Sequence, residues 1–244
     1  MTENVDKLLD QVCAYEGAIS GPCADILAQR VPHGAALLTN MVAWYPFSEE
    51  PRNFFEQVVR HLRGIAKPSP DCIGAEYWMR EQAADSDFPF HFDRDEALQS
   101  TVVSPDLSSI LYLSDVGGTT LIVGLTPTSE GVPRRGSAVA PKVARYATFS
   151  GRLFHGVQGA DPSPLKRRAF FVNWWTHKPG GASDPSEAFI QSCPLVEGLE
   201  WPDPKSVLND PTVPIDFSPD GLMPDEEWEA FMKNRATANL LVDP

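Results

Sequence analysis

A chain of 244 residues, 42% hydrophobic and 22% charged, carries enough apolar side chain for one large core without disulfide or metal staples. Its 33 acidic against 20 basic residues leave a net charge of -13, which excludes polyanion tracking and argues against nucleic acid or an anionic membrane surface as partner. No apolar run approaches the roughly 18 residues of a spanning helix. The first residues, MTENVDKLLDQV, have neither the basic flank nor the apolar run of a signal peptide, so a cytoplasmic protein is expected. Cys13, Cys23, Cys72 and Cys193 lie too far apart for a zinc knuckle or a disulfide framework and are expected to be reduced and mostly buried.

In chain order, the first third reads as helical. Val5, Leu8, Leu9, Val12 and Cys13 recur at helical spacing, and Pro51 opens a second amphipathic run through Phe54, Phe55, Val58, Val59 and Leu62. Residues 1–70 are therefore expected to form a helical support ahead of a sheet. From about Cys72 to Trp175 the pattern changes to short β-branched and aromatic runs between turn residues: IGAEYWMREQ, FPFHFDR, SSILYLSD, TTLIVGL, ARYATF, RLFHGVQ and RAFFVNWW. Helical crossovers are missing, so the expected fold is an all-β core with flanking helices, a closed double sheet of jelly-roll, cupin-like type over 71–178. Prolines crowd the region from 179 to 244, which predicts an irregular wrap ending in a helix at PDEEWEAFMKNRA, a candidate cap or homodimer contact. The whole is expected to be one domain.

The stretch Phe88-Pro-Phe-His-Phe-Asp-Arg94 carries the chemistry. On an extended strand Phe88, Phe90 and Phe92 share one face, and His91 and Asp93 the other. An imidazole and a carboxylate two residues apart grip one cation from the same side, and a histidine from a distant strand would complete a three-ligand face. His155 is the candidate. His33, His61 and His177 are expected before a strand, on a helix and after the last strand, outside the central sheet. On the strand entering this region, Tyr77, Trp78, Arg80 and Glu81 are candidate substrate contacts, as is Arg94 after the ligand pair; Arg80 is a candidate for an acidic group, and Asp95 and Glu96 for an amine.

From about Ile73 to Trp175 the chain resembles the Fe(II)- and 2-oxoglutarate-dependent oxygenases, especially their prolyl-hydroxylase-like branch. The resemblance rests on five landmarks in order: His91-Phe-Asp93, Leu111-Tyr112-Leu113, Gly117-Gly118-Thr119-Thr120, His155-Gly-Val157-Gln and Arg168-Ala-Phe-Phe-Val-Asn-Trp174. It implies a double-stranded β-helix and a metal site of His91, Asp93 and His155 for Fe(II), with 2-oxoglutarate and O2 as cosubstrates. It further implies a guanidinium for the far carboxylate of 2-oxoglutarate and a phenol, Tyr112, beside it. The family's cation stands six residues before an aromatic strand end, which selects Arg168 with Trp174; Arg167 is the competitor, on the opposite face by alternation. A Ser or Thr that often follows that cation is replaced here by Phe170 and Val172. Asp93 argues against halogenation.

The implied activity is hydroxylation of an unactivated C–H bond of a small molecule, an amino acid or specialised metabolite, with release of succinate and CO2. Desaturation or ring closure uses the same iron chemistry, and a peptide or protein side chain is the alternative substrate. Two other readings compete: a cupin-like hydrolase or isomerase with Zn or Mn on the same ligands, which needs no Arg168, and a non-catalytic double-sheet binding module.

Overall fold

A computed structural model describes residues 5–37, 42–98, 101–129, 133–158, 162–203 and 212–216. The helix expected at PDEEWEAFMKNRA lies outside the described residues.

The chain opens with α1 (Val5–Leu9), β1 (Cys13–Tyr15), α2 (Gly21–Leu37), β2 (Val42–Pro46) and α3 (Phe54–Ala66). Strands β3 (Gly74–Ala83), β4 (Phe88–His91), β5 (Leu107–Tyr112), β6 (Thr119–Val123), β7 (Arg135–Val139), β8 (Tyr146–Ser150), β9 (Phe154–Gln158) and β10 (Lys166–Trp175) follow. After them come β11 (Ala182–Ser183), α4 (Glu187–Ser192) and β12 (Thr212–Asp216). They form a seven-stranded sheet in the order β1-β8-β5-β10-β3-β2-β11 and a five-stranded sheet in the order β12-β7-β6-β9-β4. From β3 to β10 successive strands alternate between the two sheets except β6 and β7, which pair as neighbours in the smaller one, and every core pairing is antiparallel, which makes the architecture a double-stranded β-helix.

Helices do not simply precede the sheet, since β1 and β2 are threaded between them and join the larger sheet, β1 at one edge and β2 next to the other, inside β11. His33 falls within α2 rather than before a strand. The amphipathic run after Pro51 is helical, but its cap is Asn53: the side chain accepts a hydrogen bond from Glu56 N, freeing the helix to start at Phe54. Its apolar stripe, Phe55, Val58, Val59 and Leu62, is fully buried on the outer face of the seven-stranded sheet. That face presents Tyr77, Met79, Leu111, Phe170, Val172 and Trp174, so the main core lies between helices and sheet. Filling it accounts for most of the large apolar side chains and leaves the space between the two sheets for a second, smaller core and a cavity. Among the described residues no helix is long and apolar enough to cross a membrane.

Candidate metal centre and cavity

β4 and β9 pair antiparallel with His91 directly opposite His155. Facing residues of such a pair project to the same side of the sheet, and the two rings stand 4.5 Å apart between centroids. Asp93 follows the end of β4 and is pinned across the inter-sheet gap by Ser108, whose hydroxyl donates to Asp93 Oδ2 at 2.5 Å. One ligand atom from each of His91, Asp93 and His155 lies within 4.8 Å of the others. Each imidazole donates Nδ1–H to a backbone carbonyl two residues back, Pro89 for His91 and Leu153 for His155, both at 3.0 Å. This fixes the tautomer and turns both Nε2 atoms toward Asp93, at 3.4 and 3.6 Å.

Electrostatics favour a cation at this point. Burial pushes His155 down to about 4, only partly countered by Asp93, so the ring is neutral and its Nε2 lone pair is available at neutral pH. Burial alone would raise Asp93, but His155, His91 and the Ser108 hydroxyl hold it below its ordinary value, as a carboxylate. Burial likewise works against protonation of His91, and Asp93 outweighs it. Two neutral-capable imidazoles and one carboxylate on one side of a point are a donor set for a divalent first-row metal with positions left open.

The centre opens into a cavity of about 710 Å3 between the sheets. Its floor is the inner face of the seven-stranded sheet, where β10 is paired with β3 so that Glu76 faces Asn173, Trp78 faces Phe171 and Gln82 faces Arg167.

Arg167 is the most deeply buried of the three arginines that line this cavity, with Arg80 and Arg94. It is 2% exposed, its Nη2 reaches Thr120 Oγ1 at 3.4 Å, and its Nε has no hydrogen-bond partner among the described residues. Burial lowers its pKa, with Tyr112 opposing. Arg168 is on the other face, where its side chain is 37% exposed and its Nε donates to Glu81 at 2.6 Å across the β3–β10 ladder. The expected alternation of 167 and 168 is present, but with the faces exchanged: Phe170, Val172 and Trp174, which share the Arg168 face, go under the helices. Gly117 makes room for the Arg167 stem. At φ +110° it occupies a backbone region that suits glycine, and a Cβ there would fall 2.5 Å from Arg167 Cδ.

Of the other expected contacts, Arg80 and Arg94 line the cavity; the Arg80 guanidinium lies 4.1 Å from the Phe88 ring centre and Arg94 pairs with Glu96. Tyr77 does not reach it. Its ring is fully buried on the helix side, stacked on Phe55, with its oxygen accepting a hydrogen bond from Asn53. Tyr112 is fully buried behind Thr120, to which its hydroxyl donates at 2.7 Å, with its ring 5.6 Å from the Arg167 guanidinium carbon. Phe88 departs from the expected pattern too. The register shifts between Phe88 and His91, where Pro89 cannot donate to the ladder, and Phe88 turns onto the cavity, edge-on to His91, while Phe90 and Phe92 pack on Phe154. Trp78 lines the cavity as Arg80 does, and Glu81 does not. Sequence reasoning overlooked Glu76, Ser108, Thr120, Phe171 and Asn173; alternation from Arg80 back through Trp78 to Glu76 was the available signal.

No protein-family model matches the sequence, and no curated protein matches it. Among solved structures, a Pseudomonas putida prolyl-4-hydroxylase is similar at 14% identity and a TM-score of 0.45, over 73% of this chain and 97% of that one. HygX from Streptomyces hygroscopicus, solved with nickel and 2-oxoglutarate bound, is similar at 13% identity and a TM-score of 0.42, over 72% of this chain and 87% of that one. A prolyl hydroxylase from Trichoplax adhaerens, in complex with a hypoxia inducible factor peptide fragment, follows at 11% identity and a TM-score of 0.40, over 70% of this chain and 89% of that one.

Proposed function

We propose that this chain is a non-haem Fe(II)- and 2-oxoglutarate-dependent oxygenase that hydroxylates a C–H bond of a small molecule. One observation carries the reading: a single cavity contains both the His91, Asp93 and His155 donor set and a buried guanidinium, Arg167, whose Nε lacks a partner. A hydrolase or isomerase using the same three ligands has no need of that buried cation. A dicarboxylate supplies what both features want, a chelating 2-oxo acid at the metal and a distal carboxylate for the guanidinium fork. Along β5, Ser108 beside Asp93 and Tyr112 beside Thr120 are four residues apart, roughly 13 Å of strand, so the two anchoring points are separate.

His91, Asp93 and His155 would hold Fe(II), and the bound metal with 2-oxoglutarate supplies the activation of dioxygen. The chain's own residues do the rest. Ser108 keeps the Asp93 carboxylate aimed, the Pro89 and Leu153 carbonyls keep both Nε2 atoms on the metal side, and Thr120, held by Tyr112, orients the Arg167 fork. In the net reaction one oxygen atom of O2 enters the substrate C–H bond and the other enters succinate, with CO2 leaving from 2-oxoglutarate. The 710 Å3 cavity is of a size that encloses a small molecule.

Anaerobic addition of Fe(II) and 2-oxoglutarate should give a weak visible charge-transfer band saturating at one equivalent of each. Air should then release succinate. A protein that takes up the metal without either signal would refute the oxygenase reading.

A further inference from the structure

The cavity floor is graded. Along β3 and β10 its facing pairs run from Glu76 with Asn173, through Trp78 with Phe171, to Arg80 with Ala169 and Gln82 with Arg167. The proposed function uses the Arg167 end and leaves the Glu76 end without a task.

Glu76 is 8% exposed and accepts a hydrogen bond from Asn173 Nδ2 at 3.0 Å. Among the described residues it has no Lys, Arg or His within ion-pair distance. It also stands outside the metal-ligand group. Such a carboxyl is costly to the fold, and a glutamine would fill the same space on the same asparagine without that cost. Burial, with the Asn173 amide and the Trp175 indole opposing and the nearby Asp93 and Asp95 charges adding, pushes it up to about 8. Two residues along, about 7 Å of strand, the Trp78 and Phe171 rings stack with centroids 5.2 Å apart and planes within 8°, both half-buried on the cavity. A carboxyl without a cation, next to an aromatic platform, is what a small organic cation selects: the carboxylate takes its charge and N–H donors, and the ring faces attract it through their quadrupole.

We infer that Glu76 and Asn173, with the Trp78–Phe171 platform, bind an ammonium or guanidinium group on the primary substrate, which makes that substrate an amine-bearing small molecule with an apolar body. The inference rests on the oxygenase reading for the identity of the reaction, but binding of the cation needs neither iron nor 2-oxoglutarate. The carboxyl is protonated when the cavity holds no cation at neutral pH. A bound ammonium displaces that proton to solvent, so the pair is neutral overall.

The test uses two probes of one shape on the metal-free protein, phenethylammonium and phenethyl alcohol, titrated by calorimetry and by the fluorescence of the cavity tryptophan. The ammonium should bind about tenfold more tightly than the alcohol. Glu76→Gln, of equal size, should bring ammonium and alcohol to equal affinity while leaving the Fe(II)/2-oxoglutarate band intact. Equal affinities in the wild type, including no measurable binding of either, would overturn the inference, as would a preference that survives in Glu76→Gln. A preference in a wild type that gives no charge-transfer band would support this cation site and refute the oxygenase reading alone.

Discussion

Replacing Arg167 by alanine is the perturbation with the largest calculable effect. The guanidinium is almost fully buried and holds one long hydrogen bond to Thr120, so its charge is uncompensated until an anion arrives. Truncation then leaves the distal carboxylate of 2-oxoglutarate desolvated without a partner, a loss of about 2–5 kcal/mol. At ~1.4 kcal/mol per decade that is a weakening of cosubstrate binding by tens to thousands of fold. Iron should still bind, because its three ligands lie on other elements. Arg167→Lys should fall between, keeping the charge but losing the planar fork. Arg168→Ala removes only a partly exposed pair with Glu81, which contributes between nothing and ~1 kcal/mol to stability and nothing to the cavity. Succinate release against 2-oxoglutarate concentration, measured for all three variants with iron uptake as control, separates the effects. Identical curves for wild type and Arg167→Ala would refute the reasoning, and an effect confined to Arg168 would mean that the strand's faces had been assigned the wrong way round.

Asp93→Ala should abolish stoichiometric iron retention, whereas Ser108→Ala, which only frees the carboxylate to swing, should weaken iron about 10- to 100-fold; a metal titration reads both, and full retention in Asp93→Ala would remove the three-ligand site. Gly117→Ala places a Cβ against the Arg167 stem at φ +110°, so it should cost about 1–3 kcal/mol in urea unfolding and raise the KM for 2-oxoglutarate; an unchanged KM would show that Arg167 is not seated by this turn. Glu76 also gives the protein a pH signature. Its folded-state value near 8 exceeds the ordinary 4.5 of an unfolded chain, so both states are protonated below 4.5, the unfolded state alone ionises between 4.5 and 8, and stability falls across that window before levelling. Unfolding midpoints of the wild type and Glu76→Gln should therefore diverge from pH 5 to 8 in favour of the variant, and parallel curves would contradict the buried carboxyl.

Strand runs of β-branched and aromatic residues were legible because they bury a face. RGSAV of β7 was not, since Arg, Gly, Ser and Ala carry little strand preference and the segment is held by its neighbours β6 and β12. In α2 the sequence hides the helix behind Pro22, Pro32 and Gly34. The His91, Asp93 and His155 set was readable from a two-residue spacing and one distant histidine, since side-chain direction on a strand follows from period two. That same period exposes two errors of inference. Tyr77 and Arg80 have opposite parity on β3 and cannot both face the cavity. Arg168 shares its face with Phe170, Val172 and Trp174, a continuous apolar row that belongs under helices, so the polar company of Asn173 should have pointed to Arg167. Phe88 was out of reach for a different reason: the register shift at Pro89 depends on the partner strand.

The strict alternation along β3 also divides the labour of selection. Tyr77 and Met79 pack in the helical layer, while Glu76, Trp78, Arg80 and Gln82, interleaved with them codon by codon, line the cavity. Substitutions at the even positions can therefore redraw what the cavity accepts while the packing that sustains the sheet is untouched, and a combinatorial library confined to those four codons should keep folding while its ligand preferences drift. A lineage built on this sheet could change substrates by single steps without passing through unfolded ancestors.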